Sequence, residues 1–287
     1  MGTMRLLVIG AAGMLGQDLL AAAQAAGHEP VGLDLPEIDI TDARATEAAV
    51  REIAPDAVVN CAAWTDVDGA EADEQGAMAV NELGAGNIAA AAARHGARIA
   101  YVSSDYVFDG MKGAPYDEMD ATHPLSVYGR TKLAGEAFVR QLLPEHFIVR
   151  TSYVYGAGDD YASGALERLR RGDPAGGIRD RIGSPTFVGH LASRLLSLLL
   201  TGRFGTYHVA GSEPASWFDV LERARTIGGL LGTVEEQEMA SLGLLAPRPA
   251  SSALTSAYLE HIGIEPLPGL DVAVGEWIQL AAAEATA

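Results

Sequence analysis

Gly10-Ala11-Ala12-Gly13-Met14-Leu15-Gly16 is the stretch that decides the fold of this 287-residue chain. It follows the apolar run Arg5–Ile9, which predicts a β-strand, and it opens a helical pattern over Met14–Ala26. Glycines allow a tight turn and a close approach to the backbone, while the start of a helix offers free N–H groups to a phosphate. The stretch therefore predicts a dinucleotide site. Its expected contacts are Gly10, Gly13, Met14, Leu15 and Gly16.

Strand and helix patterns alternate from Arg5 to Thr151, and the strands read as continuous apolar runs. This order predicts an α/β fold, a Rossmann-like doubly wound parallel sheet followed by a smaller C-terminal α/β lobe that binds substrate. We expect a dinucleotide-binding domain over residues 1–150 and mainly the substrate lobe over 151–287, with about 183–210 returning to the first domain. Helices of the second half are predicted over Ser163–Arg171, Thr186–Leu200, Trp217–Gly228, Glu235–Leu242, Thr255–Ile262 and Ala273–Ala283.

Composition and charge exclude several classes of partner. The formal net charge of −18 argues against nucleic acid and against an anionic membrane surface, both of which need clustered lysine and arginine. A single cysteine, Cys61, rules out an internal disulfide and favours a reducing cytoplasm. With no targeting segment, no membrane-spanning run and no histidine pair at metal-ligand spacing, we expect a cytoplasmic protein without a metal.

The residues after the second and third predicted strands indicate how the dinucleotide is held. Asp34 can accept hydrogen bonds from the adenosine ribose and would repel a 2′-phosphate. No arginine or lysine stands beside it, because Leu35-Pro36-Glu37 follows. NADH is therefore slightly favoured over NADPH. Further cofactor contacts are predicted at Asp39, Ile40, Cys61, Ala62 and Ala63.

Three polar residues predict carbonyl reduction. Tyr128 and Lys132 lie four apart in a helical pattern and so share a face, and Ser104 ends the apolar run before them. A phenol can protonate the oxygen of a reduced ketone if a nearby ammonium stabilises the phenolate, and a serine hydroxyl can orient the carbonyl. The sequence therefore predicts an oxidoreductase with Ser104, Tyr128 and Lys132 as its catalytic residues.

The chain resembles the extended short-chain dehydrogenase/reductases and, within them, the dTDP-4-dehydrorhamnose reductase family. The resemblance spans almost the whole chain and includes the glycine turn. Its other motifs are Asn-Cys-Ala-Ala-Trp-Thr-Asp-Val-Asp-Gly-Ala-Glu (60–71), Ser-Ser-Asp-Tyr-Val-Phe-Asp-Gly (103–110), Tyr-Gly-Arg-Thr-Lys-Leu-Ala-Gly-Glu (128–136), Arg-Thr-Ser-Tyr-Val-Tyr-Gly (150–156), Gly-Ser-Pro-Thr (183–186) and Arg-Pro-Ala-Ser-Ser-Ala-Leu (248–254).

The resemblance implies NAD(P)H-dependent reduction of the 4-keto group of a dTDP-6-deoxy-4-hexulose, with dTDP-4-dehydro-L-rhamnose as the expected substrate. It makes Tyr128 the acid, Lys132 its partner and Ser104 the accompanying hydroxyl. Asn81 would support the lysine and an active-site water, and Thr65 would lie beside the nicotinamide. The implied substrate contacts are Val67, Asp105, Tyr106, Tyr153 and Arg248, the last of these on the phosphates.

Other functions stay open at this point. Tyr153, Asp180-Arg181 and Leu270 depart from the family pattern in the substrate half, so a ketone of another nucleotide-activated deoxysugar fits nearly as well. A non-catalytic NAD(P)-binding regulatory subunit is a second alternative, against which the complete catalytic set argues. Dehydration or epimerisation is a third, although Asp105-Tyr106 lacks the second acid expected of a dehydratase. The chain could act as a monomer or a homodimer.

Overall fold

The computed structural model describes residues 2–156, 158 and 160–284, and a parallel sheet lies at its centre. The strands are β1 (Arg5–Ile9), β2 (Glu29–Leu33), β3 (Ala57–Asn60), β4 (Arg98–Ser104), β5 (His146–Thr151), β6 (Val154–Tyr155), β7 (Ala175–Ile178), β8 (Thr186–Phe187), β9 (Gly205–His208) and β10 (Val234–Gln237). Within these residues, six strands pair in the order β2-β1-β3-β4-β5-β9, all parallel. The predicted doubly wound α/β sheet is confirmed.

Helices alternate with the strands along the chain. They are α1 (Met14–Ala25), α2 (Ala43–Ile53), α3 (Val67–Ala72), α4 (Glu74–Met78), α5 (Ala85–His95), α6 (Val127–Leu142), α7 (Tyr161–Arg171), α8 (Val188–Thr201), α9 (Trp217–Gly228) and α10 (Leu270–Glu284). A π-helical turn, Ala79–Gly84, joins α4 to α5. Across residues 2–156, 158 and 160–284, none of the helices combines the length and apolarity needed to cross a membrane.

The sheet is buried on both faces because alternate residues of its strands pack against helices on opposite sides. Leu6 and Val8 of β1 pack with α1 and α8, whereas Leu7 and Ile9 of the same strand pack with α2 and α5. Both sets are at most 1% exposed. Burial on two sides explains why the strands carry unbroken apolar runs in the sequence.

A second core forms outside the sheet. Helices α7, α9 and α10 pack around Tyr155 and Trp277, and β7 pairs with β10 beside them. Between these segments the chain returns to the six-stranded sheet, because α8 packs on α1 and β9 pairs with β5. On this basis we propose the division near residue 150 and the return over about 183–210.

Three of the predicted helices are wrong in whole or in part. Residues 235–242 were expected to be helical, but Val234–Gln237 is strand β10 and Met239–Leu242 is a 3-10 turn. Pairing with β7 overrides the helical preference of glutamate. Over 255–262 only Glu260–Ile262 is helical, again as a 3-10 turn. Helix α8 begins two residues after the predicted start, because Thr186–Phe187 pairs with β6.

Candidate active site

The glycine turn is shaped to hold a pyrophosphate. Gly10 has a φ of +84°, and a side chain there would meet the backbone of Ala62 and Cys61. A Cβ at Gly16 would likewise lie only 2.2 Å from the Gly10 carbonyl oxygen. Among the described residues no side chain caps the start of α1, and its first turn contains no acid. The N-terminal N–H groups and positive end of the helix dipole therefore fit an anionic ligand.

A cavity of about 380 Å³ opens beside the turn and suits the adenosine half of a dinucleotide. The Asp34 carboxylate is held there by the backbone N–H groups of Ala12 and Leu35, each at 2.8 Å. Asp39 and Ile40 lie on the same wall, and none of the described residues that line this cavity is basic. A ribose hydroxyl can be accommodated there, whereas a 2′-phosphate would be repelled by the Asp34 carboxylate, which has no positive charge beside it. The predicted residues in this cavity are Gly10, Gly13, Asp34, Asp39, Ile40, Cys61, Ala62, Ala63 and Thr65.

A larger cavity of about 1100 Å³ extends from the turn to the ends of β4 and β5. It has room for both a nicotinamide and a second molecule. It brings together the three predicted catalytic residues and most of the predicted contacts. The predicted residues on its walls are Gly10, Gly13, Met14, Leu15, Gly16, Cys61, Ala63, Thr65, Val67, Ser104, Asp105, Tyr106, Tyr128, Lys132 and Tyr153.

Tyr128 lies at the start of α6, which is capped by the Ser126 hydroxyl. Its ring packs edge-on against Tyr106, with centroids 5.4 Å apart. Burial raises the pKa of Tyr128, and a hydrogen bond with the Ser104 side chain opposes that rise. The phenol is therefore protonated at neutral pH and can donate its proton to a nearby oxygen.

Lys132 follows one helical turn later and is 3% exposed. Its Nζ donates to the Val102 carbonyl at 2.7 Å and lies 4.4 Å from the centre of the Tyr101 ring. Burial lowers the pKa of Lys132 to about 8, although the charge of Glu136 favours the ammonium. The side chain is thus fixed to the central strand while its charge is only weakly solvated.

Asn81 reaches this network through its main chain. The Tyr101 hydroxyl donates to the Asn81 carbonyl at 3.1 Å, and Asn81 sits in the π-helical turn. Its side-chain amide donates to Thr131 Oγ1 at 3.0 Å, and its Oδ1 accepts from the Trp64 N–H at 2.9 Å. Such π-turns often lie at functional sites. The predicted support of Lys132 by Asn81 thus has a structural route, through Tyr101.

Cys61 lines both cavities. Burial raises the pKa of its thiol to about 12, a shift that the charge of Lys132 reduces. A thiol with that pKa carries almost no thiolate at neutral pH, so its chemistry is that of a small apolar group. This favours a packing role in the cofactor groove.

An aromatic wall formed by Tyr153, Tyr161 and Trp217 lines part of the larger cavity, and only Tyr153 was expected there from the sequence. Tyr153 has a φ of +46° and stacks on Trp217, with centroids 5.0 Å apart and planes 3° apart. Tyr161 meets Trp217 edge-on at 5.6 Å. A positive φ is uncommon for a bulky residue, and here it accompanies this stacking. No local motif connects Tyr161 and Trp217 to the site, because they begin separate helices.

Comparison with known proteins agrees with this geometry. The family described as "RmlD substrate binding domain" matches residues 4–282. The dTDP-4-dehydrorhamnose reductase of Mycobacterium tuberculosis is 41% identical over 275 residues, which cover 92% of this chain and 88% of that protein.

This chain belongs to the dTDP-4-dehydrorhamnose reductase family. Another relative, the dTDP-4-keto-6-deoxy-D-glucose reductase of Streptomyces niveus, is 36% identical over 270 residues, covering 92% of this chain and 93% of that protein. The crystal structure of dTDP-4-dehydrorhamnose reductase from Bacillus anthracis in complex with NADP has a TM-score of 0.93 and 32% identity, covering 97% of this chain and 99% of that one.

Arg248 is not among the described residues on the walls of the two cavities, but it lies beside Tyr106, which is on the wall of the larger one. Its Nη2 lies 2.6 Å from Asp68 Oδ2, and its Nη1 donates to Asp68 Oδ1 at 3.2 Å. The hydrogen bond from Arg248 is the main reason that the pKa of Asp68 falls to about 2. The pair joins α3 to the C-terminal segment. Phosphate binding by Arg248 stays a prediction.

Gly13 offers a direct test of the cofactor site in this family member. It borders both cavities, and a Cβ there would meet only the Gly10 carbonyl oxygen, at 3.4 Å. We expect Gly13→Val to fold normally but to weaken NADH binding at least ~10-fold, because the side chain would occupy the phosphate position. Fluorescence titration with NADH measures the Kd.

A control for this variant is Gly164→Val in α7, where a Cβ would meet nothing within 4 Å. It introduces the same side chain away from the glycine turn, so NADH affinity should stay at the wild-type value. Unchanged affinity in Gly13→Val as well would show that the dinucleotide does not cross the glycine turn.

Proposed function

We propose that this protein reduces the 4-keto group of a dTDP-6-deoxy-4-hexulose with NAD(P)H, converting dTDP-4-dehydro-L-rhamnose to dTDP-L-rhamnose. The observation that carries the proposal is the position of Ser104, Tyr128 and Lys132 on the wall of one cavity, continuous with the glycine turn. Relatives named for this reaction match over most of the chain.

The site residues divide the chemistry between them. A bound reduced nicotinamide would supply a hydride to the carbonyl carbon, and the oxygen would then need one proton to become a hydroxyl group. Tyr128 donates that proton from its phenol, and the Lys132 ammonium stabilises the phenolate left behind. Ser104 lies on the same cavity wall as Tyr128 and marks the position for the carbonyl oxygen. The aromatic wall of Tyr153, Trp217 and Tyr161 offers a stacking surface for the substrate.

A second substrate is supported by the comparison with Streptomyces niveus, whose reductase is named for dTDP-4-keto-6-deoxy-D-glucose. The two hexuloses share the dTDP group and the 4-keto group. They differ in the configuration of the sugar ring. The proposed catalytic residues act at the 4-keto group, which is the same in both. We propose that the aromatic wall distinguishes them, because it lines the same cavity as Ser104, Tyr128 and Lys132.

The test is loss of nicotinamide absorbance with enzymatically generated dTDP-4-dehydro-L-rhamnose, first with NADH and then with NADPH. Rapid oxidation establishes the reaction and the substrate class. Oxidation only with dTDP-4-keto-6-deoxy-D-glucose would transfer the proposal to the second substrate. No oxidation across a panel of nucleotide-sugar ketones, with NADH binding confirmed separately, would overturn the proposal and favour the regulatory role.

We further propose that NADH is preferred over NADPH, because the Asp34 carboxylate has no basic neighbour among the described cavity residues. Asp34→Ala is expected to lower the ratio of kcat/KM for NADH to that for NADPH by about tenfold, since a 2′-phosphate would no longer meet a negative charge. Steady-state kinetics with both cofactors measure the ratio. Glu37→Gln removes a nearby charge that does not line the cavity, and it should leave the ratio unchanged. An unaltered ratio in Asp34→Ala would show that another residue sets the preference.

A further inference from the structure

The ammonium group of Lys132 lies over an aromatic ring, that of Tyr101. Its Nζ is 4.4 Å from the centre of the ring and donates to the carbonyl of Val102, the next residue of β4, at 2.7 Å. An ammonium has three N–H groups, so it can use further partners besides this carbonyl. The face of a tyrosine ring is electron-rich and attracts a cation at this distance. The Tyr101 ring therefore serves as a second partner of the ammonium.

Tyr101 is held in place by the sheet and by its own hydroxyl group. It is fully buried in β4, where it pairs with Asn60 on one side and Ile148 on the other. Its hydroxyl donates to the Asn81 carbonyl at 3.1 Å and lies 3.4 Å from the main-chain carbonyl oxygen of Lys132. Tyr101 thus contacts Lys132 twice, with its ring at the ammonium and its hydroxyl at the main chain.

Helix α6 carries a glycine, Gly135, where it passes the Tyr101 hydroxyl. A Cβ at this position would lie 2.5 Å from the Tyr101 hydroxyl oxygen and 2.3 Å from the Asn81 carbonyl oxygen. In a close-packed interior, a larger residue would push the ring away from the helix. The close approach that brings the ring to Lys132 therefore depends on a residue without a side chain at position 135.

The surroundings of Lys132 make a contact with its charge important. Burial lowers the pKa of Lys132 to about 8, and the charges of Glu136 on the same helix and of Cys61 after β3 oppose that fall. A cation–π contact favours the ammonium over the neutral amine, so the Tyr101 ring acts in the same direction as Glu136. Within the part of the chain that the structure describes, Tyr101 lines neither cavity. Its effect on a bound ligand must therefore pass through Lys132.

We propose that Tyr101 is a positioning residue for ketone reduction, whose ring face holds the Lys132 ammonium in its charged form at the wall of the larger cavity. The inference rests on the proposed function, in which that ammonium stabilises the phenolate of Tyr128. The ring supplies part of the stabilisation that water gives to an exposed lysine. Because the ring and not the hydroxyl contacts the ammonium, phenylalanine should be able to replace Tyr101 in this role.

The chain contains two lysines, Lys112 and Lys132, so lysine labelled with ¹³C at Cε gives one NMR signal for each. Tyr101→Phe keeps the ring, and 3,5-difluorophenylalanine at position 101 keeps its shape while withdrawing electrons from its face. We expect the titration midpoint of Lys132 in Tyr101→Phe to stay within about 0.3 pH units of wild type. In the difluoro variant it should lie at least ~0.5 pH units below that of Tyr101→Phe. Lys112, which lies over Tyr116, should titrate unchanged.

The same variants connect the ring to turnover. The alkaline limb of the kcat profile should move with the Lys132 midpoint, because the ammonium is the form that stabilises the phenolate. The KM for the ketone should stay within about twofold, since a residue that acts through Lys132 does not bind the substrate itself. The control is 3,5-difluorophenylalanine in place of Tyr207, whose hydroxyl donates to the Arg203 carbonyl away from both cavities. It should change neither the midpoint nor the kcat profile.

Equal Lys132 midpoints in Tyr101→Phe and the difluoro variant would show that the ring face does not hold the ammonium, and would overturn the proposal. A lower midpoint with an unmoved kcat profile would overturn the role in reduction. If the difluoro variant does not fold, 3-fluorophenylalanine replaces it, with a smaller fall in the same direction. Failure of wild type on every ketone would instead refute the proposed function, and the NMR titration would still decide whether the ring holds the ammonium.

Discussion

Tyr128→Phe is expected to lower kcat by at least ~100-fold while the Kd for NADH changes less than about twofold. The phenol lies on the described cavity wall with Ser104, and Lys132, on the same wall, follows it one helical turn later. Phenylalanine keeps the ring and its edge-on packing against Tyr106, so the fold and the cofactor site should be preserved. Stopped-flow measurement of NADH oxidation at saturating ketone gives kcat, and fluorescence titration gives the Kd.

Tyr207→Phe is the matched control for the loss of one phenolic hydroxyl. Its hydroxyl donates to the Arg203 carbonyl at 2.7 Å, away from both cavities. It should leave kcat within about twofold of wild type, because a change remote from the site does not alter the transition state. Near-normal turnover in Tyr128→Phe would mean that another group protonates the oxygen, and the mechanism proposed above would fail.

Glu136→Gln should reduce the free energy of unfolding by about 3 kcal/mol, the largest stability effect expected here. Glu136 is fully buried in α6. Its oxygens accept from Arg150 Nε at 2.9 Å and Arg150 Nη2 at 2.8 Å, and from Ser103 Oγ at 2.6 Å. A neutral amide leaves the Arg150 guanidinium buried without its charge partner, which costs more than the pair itself contributes. Urea denaturation followed by circular dichroism measures the change.

At acidic pH, the free energies of unfolding of Glu136→Gln and wild type should become more alike. Burial alone raises the pKa of Glu136, but the hydrogen bonds and charge of Arg150 outweigh it and the net shift is downward. A carboxyl whose pKa is lowered by folding stabilises the protein at neutral pH, and that contribution is lost as the pH falls through the folded pKa.

Glu167→Gln provides the control for an exposed ion pair. Glu167 lies 2.8 Å from Arg171 one helical turn away, with the two side chains 47% and 66% exposed. Water screens such a pair, so this variant should change stability by less than about 0.5 kcal/mol. If Glu136→Gln and Glu167→Gln lowered the free energy of unfolding equally, the buried ion pair would add nothing to stability.

Local patterns in the sequence predicted the first half of the fold well. The strand of β1, the helix of α1 and the acid at the end of β2 lie where the spacing placed them, because each depends on neighbouring residues. The Tyr128 and Lys132 pair was found for the same reason, since a four-residue spacing defines one helical face. Prediction was poorer after residue 230, where Val234–Gln237 is a strand only because β7 lies beside it.

Periodicity and short contiguous motifs were enough to predict the sheet and the glycine turn, and they also brought Ser104, Tyr128 and Lys132 forward as the expected catalytic residues. Only the tertiary structure decided which groups those residues meet. It placed Ser252 on Asp105, Arg248 on Asp68 and Trp217 on Tyr153. Tyr153 and Trp217 are 64 residues apart in the sequence, and Asp68 and Arg248 are 180 residues apart. No local rule connects such distant positions, because their proximity comes from the packing of the whole chain.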